Sequence, residues 1–82
     1  MKEILFFYGP HCPKCPAASR LVGWHRVKVT RHNVEKADGL AEAAWYGVVH
    51  TPSIIVMEDD KVIGKFVGDN LPTREKIKEL LK

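Results

Sequence analysis

The stretch Ile4-Leu5-Phe6-Phe7-Tyr8-Gly9-Pro10-His11-Cys12-Pro13-Lys14-Cys15 decides how this chain is read. Its first five residues form an unbroken apolar run, the pattern of a central strand covered on both faces, and Pro10 ends it. Both cysteines of the chain follow at once. Beyond them Ala17, Ala18, Leu21 and Val22 recur at helical spacing, which predicts a helix from about Pro13 to Gly23 over one face of the sheet. Two thiols three positions apart can meet only where the backbone turns, and the first turn of a helix provides that. Pro13 suits the first helical position, where its missing N–H costs nothing and its fixed φ is already helical. Cys12 then falls at the helix N-terminus, where free N–H groups and the positive end of the macrodipole favour thiolate over thiol. It is the expected nucleophile. Cys15, one turn in and more buried, is the expected resolving thiol.

Eighty-two residues suit one domain spanning 1–82, with a single modest core and no room for a cofactor domain. Cysteines this close restrain little of the unfolded chain, so a structural staple explains them poorly; a CxxC pair in a βαβ pattern is the redox signature. A zinc site normally needs four ligands, and His11, His25, His32 and His50 do not repeat a finger spacing, so no metal ligands are assigned. The rival of a different class is a module using Cys12 and Cys15 to hold a soft ion such as copper(I), or a cluster shared between chains. The N-terminal apolar run is too short for a signal segment or a membrane span, which suggests a cytoplasmic protein without a membrane partner. The basic excess of three charges is scattered among acids and does not indicate nucleic-acid binding. A monomer is expected.

Val27-Lys28-Val29-Thr30 alternates towards Val34 and reads as an edge-like strand. Asp38 can cap a second helix in which Leu40, Ala41, Ala44 and Trp45 form one apolar stripe, with Gly47 placed to end it. Trp24 and Trp45 are taken as packing aromatics. Ser53 to Met57 is a third strand, joined through Glu58-Asp59-Asp60 to its hairpin partner Lys61 to Val67. Thr73 is a good N-cap for a last helix carrying Ile77, Leu80 and Leu81, with Glu75 in its first turn. The order is βαβαββα, an α/β arrangement. The copper carriers that also place CxxC before a helix have the order βαββαβ.

Four stretches in this order resemble the small thioredoxin and glutaredoxin-like proteins over nearly the whole chain. They are the strand leading into Cys12-Pro13-Lys14-Cys15, the segment from Asn33-Val34-Glu35 through Tyr46-Gly47-Val48, then Thr51-Pro52-Ser53, and finally Val62 to Gly68. The resemblance implies the minimal thioredoxin fold, a four-stranded mixed sheet flanked by three helices. It implies a protein disulfide oxidoreductase that needs no cofactor beyond its own redox-active disulfide, Cys12–Cys15. It also implies a cis Thr51–Pro52 bond beside the cysteines, with Thr51, Pro52 and Gly68 meeting the substrate. His11 and Lys14 flank the nucleophile as candidate tuning groups, with Lys14 a cation close to the thiolate.

Some positions depart from the family pattern. Phe6 stands where thioredoxins bury an acid, His11 where they place Trp, Lys14 where glutaredoxins carry an aromatic residue, and Gly68-Asp69 where many glutaredoxins have paired glycines. The implied partners are disulfide-containing client proteins and a thioredoxin-reductase-like donor, with glutathione-dependent glutaredoxin activity as the alternative.

Overall fold

The computed structural model describes residues 1–82. Its elements run β1 (Lys2–Tyr8), α1 (Cys15–Gly23), β2 (Lys28–Asn33), α2 (Ala37–Trp45), β3 (Ser53–Glu58), β4 (Lys61–Val67) and α3 (Arg74–Leu81), matching the expected βαβαββα order. The sheet order is β2-β1-β3-β4. β1 pairs parallel with β2, and β3 runs antiparallel to both β1 and β4, so the sheet is mixed and β1 and β3 are its central strands.

The continuous apolar runs have their physical reason in two separate cores. Alternate residues of a strand point to opposite faces. Ile4 and Phe6 of β1 and Ile54 of β3 therefore pack with Ala18 and Val22 of α1 and Ile77 of α3 on one side. Leu5, Phe7, Ile55 and Met57 pack on the other side with Ala43 and Val48. β2 and β4, at the edges, carry half-buried and exposed residues instead.

Helix ends are closed by specific groups. Thr73 accepts a hydrogen bond from the Lys76 N–H at 3.1 Å, as the N-cap of α3 should. At the C-terminus of α2, Gly47 adopts a positive φ of 68°. The N–H of Val48 then donates to Ala43 O and that of Gly47 to Ala44 O, a Schellman closure. The Lys65 ammonium adds a further donor to the Tyr46 carbonyl at 2.9 Å.

Three expectations need correction. The N-cap of α2 is Lys36, without a side-chain hydrogen bond, and Asp38 lies in the first turn, where its charge still suits the dipole. The stripe Leu40-Ala41-Ala44-Trp45 faces outward: the buried positions of α2 are Gly39 and Ala43, while Trp45 is 82 % exposed. Small residues win because α2 lies almost on the end of β2. A Cβ at Gly39 would stand 2.0 Å from Asn33 O. Trp24 is also exposed, with the Arg74 guanidinium over its ring at 4.7 Å.

Candidate active site

The segment after β1 builds the site. At Gly9 and Pro10 the chain leaves the sheet and turns, and the Cys12 N–H donates back to Gly9 O at 3.3 Å. A second turn follows, in which the Cys15 N–H donates to Cys12 O at 3.2 Å. The turns place Cα atoms of Cys12 and Cys15 5.4 Å apart, within the range a disulfide requires, and the two residues are bonded.

The helix begins later than the spacing predicts. Lys14 is its N-cap and Cys15 its first residue, so Cys12 and Pro13 lie in the preceding turn and Pro16 takes the early helical position. The reason is local: Pro16 lacks an N–H and suits a helix start, and the turn over Cys12–Cys15 must close before α1 can run. The Cys12 sulfur is nonetheless bonded to the sulfur of the first helical residue, so the dipole reaches it through space rather than along the sequence.

Burial separates the two sulfurs. Cys15 is 5 % exposed and belongs to the core cluster with Phe6, Ala18, Ile54 and Ile77, whereas Cys12 is only partly buried at its edge. Cys12 opens onto a groove of about 240 Å³ between α1 and the β1–β2 edge, with Tyr8, Pro10, Pro16 and Arg31 among its walls. Arg31 was not singled out from the sequence. It comes to the groove because β1 and β2 pair in parallel with Phe6 opposite Arg31, a register that no local pattern announces.

The other expected residues converge from two further segments. The Thr51–Pro52 bond is cis, Pro52 is buried and Thr51 half-buried. A Cβ at Gly9 would stand 3.8 Å from the Thr51 hydroxyl, which places Thr51 against the loop that carries Cys12. Gly68, at a positive φ of 63°, donates its N–H to Pro52 O at 2.9 Å, so the end of β4 is held to the start of β3. His11 is exposed and makes no hydrogen bond. Lys14 is exposed too, and its ammonium is paired with the Asp69 carboxylate. The hydrogen bond from Lys14 and its charge hold the Asp69 carboxyl below the usual range, with a smaller contribution in the same direction from His50. No three His, Cys, Asp or Glu side chains gather anywhere in the chain.

A mixed sheet of this order, with a disulfide at the start of α1 and a cis-proline opening β3, defines the thioredoxin class of thiol–disulfide oxidoreductases. Comparison with known proteins agrees. A thioredoxin domain family model matches residues 2–82, and the thioredoxin of Methanocaldococcus jannaschii is 33% identical over 86 residues, covering 98% of this chain and 92% of that protein. The fold also matches thioredoxin O2 from Arabidopsis thaliana in its oxidized state, at a TM-score of 0.78 and 12% identity over 99% of this chain and 72% of that one. A thioredoxin from Thermus thermophilus matches at 0.68 and 26% identity, over 98% and 71% of the two chains. The chain belongs to the thioredoxin family, and its activity is thiol–disulfide exchange through Cys12 and Cys15. Its partners are disulfide-bearing clients and a reductase that returns electrons to the oxidised form. No helix is long and apolar enough to cross a membrane.

Proposed function

We propose that this protein reduces protein disulfides, with Cys12 attacking and Cys15 resolving. The observation that carries this assignment is the unequal burial of the two sulfurs. The Cys12 thiolate attacks one sulfur of the client disulfide, forming a mixed disulfide and releasing the other client sulfur as a thiolate. Cys15 then gives up its proton and attacks the Cys12 sulfur, closing Cys12–Cys15 and releasing the second client thiol. Two electrons pass from the protein dithiol to the client, and both client sulfurs leave reduced. Thr51 offers its backbone to an extended client segment beside the cis Pro52 ring, and Gly68 fixes the position of this turn through its bond to Pro52 O. Pro13 and Lys14 shape the turn that presents Cys12, with His11 beside it on the client side.

The donor is a thioredoxin-reductase-like protein rather than glutathione, and the protein works as a cytoplasmic monomer. In support, the position between the cysteines that an aromatic residue fills in glutaredoxins is a lysine already engaged by Asp69. Cys15→Ser should trap a client as a mixed disulfide, whereas Cys12→Ser should trap none. Alkylation followed against pH should label Cys12 first; faster labelling of Cys15 at neutral pH would reverse the roles. Recovery of thiols from the oxidised protein should be fast with the reductase and slow with glutathione, and rapid recovery with glutathione alone would make this a glutaredoxin in activity.

A further inference from the structure

The charges around Cys12 are unevenly committed. Lys14 stands between the two cysteines, and its ammonium is held by Asp69, which follows Gly68 in the loop fastened to Pro52 O. His50 adds a smaller contribution to the ionisation of the same carboxylate. Across the cysteines, Arg31 lines the groove and makes no ion pair or side-chain hydrogen bond within the chain. Glu35 stands near Gly9, where its Oε2 would lie 3.8 Å from a Cβ at that position. One rim thus carries a neutralised lysine.

We propose that Asp69 sets the charge selectivity of exchange at Cys12: by holding the Lys14 ammonium it disfavours disulfides and thiols that carry carboxylates beside the sulfur. This rests on the reading of Cys12 as the attacking sulfur, and it deepens that reading by naming the substrate class that the site turns away. Small anionic thiols of the glutathione kind belong to that class. A carboxylate approaching Cys12 from this rim meets Asp69 instead of a free cation. Both side chains are exposed, 57% and 81%, so the pair contributes little to stability. Coulomb's law gives roughly a threefold effect on rate for one unit charge acting on another ~7 Å away in water, and salt shortens its reach. Removing the Asp69 charge should therefore speed anionic substrates and slow cationic ones by about that factor each.

The test reacts the reduced protein with three small disulfides of like chemistry: cystamine, a dication; dithiodipropionate, a dianion; and hydroxyethyl disulfide, which is neutral. In each case the protein dithiol closes to Cys12–Cys15 and the disulfide leaves as two thiols. The readout is the ratio of the anionic to the cationic rate, each taken relative to the neutral one. At low salt Asp69→Asn should raise this ratio several-fold, and Lys14→Gln should lower it. Asp69→Glu should keep the native ratio, and the double variant Lys14→Gln/Asp69→Asn should return towards it, because the rim charge is again balanced. In about 1 M salt, where the screening length is ~3 Å, the differences should collapse. A ratio for Asp69→Asn within about 1.5-fold of the native value at low salt overturns the proposal, as does a shift that survives high salt. Failure of the native dithiol to reduce even the neutral disulfide would instead sink the exchange reading itself. Should Asp69→Asn fold poorly, Lys14→Gln tests the same pair from its other side.

Discussion

Replacing Gly39 by alanine sets two local rules against each other. Helix propensity alone makes Gly39→Ala favourable, because alanine in a helix interior is better than glycine by about 1 kcal/mol. The packing of α2 on β2 opposes it. An added Cβ would stand 2.0 Å from Asn33 O, 2.5 Å from Asn33 C and 3.0 Å from Asn33 N, all of them backbone atoms. Reaching an ordinary contact near ~3.3 Å requires a withdrawal of about 1.3 Å, which neither side can absorb by rotating a side chain. Asn33 is held in register opposite Tyr8, and the Val34 N–H donates to Tyr8 O at 2.9 Å, while α2 is fixed beyond Gly39 by buried Ala43 and Val48. Overpacking of this kind costs about 1–3 kcal/mol, with a rigid backbone contact at the upper end. Packing wins, with a net loss of roughly 1–2 kcal/mol after the propensity gain is subtracted. For a chain of this size, unfolding entropy of about 2.1 cal/mol/K per residue converts each kcal/mol into ~6 °C. Thermal unfolding followed by far-UV circular dichroism should therefore show Tm lower by about 6–12 °C, with urea unfolding as an independent check. Ala41→Gly, on the exposed face of the same helix, should lose only about 1 kcal/mol and so measures the propensity term alone. A Gly39→Ala protein as stable as the native one, or more so, would refute the close approach of α2 to Asn33.

Three further outcomes follow from the same geometry. His25 is buried with its Nε2 unpartnered, and burial, with the nearby Arg74 charge, lowers its pKa from 6.5. The folded state therefore resists protonation: stability should be flat above about pH 6.5, where the unfolded imidazole is also neutral, and fall as the pH drops below it, whereas His25→Phe should flatten this part of the urea midpoint against pH. Gly47→Ala forces an L side chain into a φ of 68° and should cost about 1–2 kcal/mol, read as a lower Tm. Thr73→Ala removes the acceptor for the Lys76 N–H and should cost ~1 kcal/mol by the same measurement, while Thr73→Ser should recover most of it.

Much of the fold was readable in the sequence because apolar periodicity records which faces are covered. The double-sided runs Ile4 to Tyr8 and Ser53 to Met57 are the central strands, and the alternating Val27 to Thr30 leads into an edge. The α2 stripe misled because periodicity ranks residues by size and apolarity, whereas this helix is seated by its smallest residue; Gly39 shows its purpose only beside Asn33. The start of α1 shifted because two prolines, Pro13 and Pro16, both satisfy the rule for a first helical residue, and closure of the cysteine turn decides between them. Within the site, Cys12, Pro13, Lys14 and Cys15 were legible as a contiguous motif. Arg31 depends on strand register and the Lys14–Asp69 pair on a long-range contact, and neither leaves a local signal.

The placement of the two sulfurs ties redox chemistry to packing. Cys15 is a member of the core that seats α1 on Phe6, Ile54 and Ile77, so its surroundings are apolar. An apolar setting disfavours a thiolate, and no Asp or Glu side chain is among the buried residues. With Phe6 where thioredoxins bury an acid, no carboxylate in the core can take the Cys15 proton. The open side for that proton is the groove, which both cysteines line. Under the proposed division of roles, the burial that would keep Cys15 from attacking first also makes its deprotonation depend on the partly open side of the site. Cys12, outside the regular helix and only partly buried, stands at the open edge of the same cluster. A fold that packs one sulfur and leaves the other at the rim makes the two unequal before any substrate arrives.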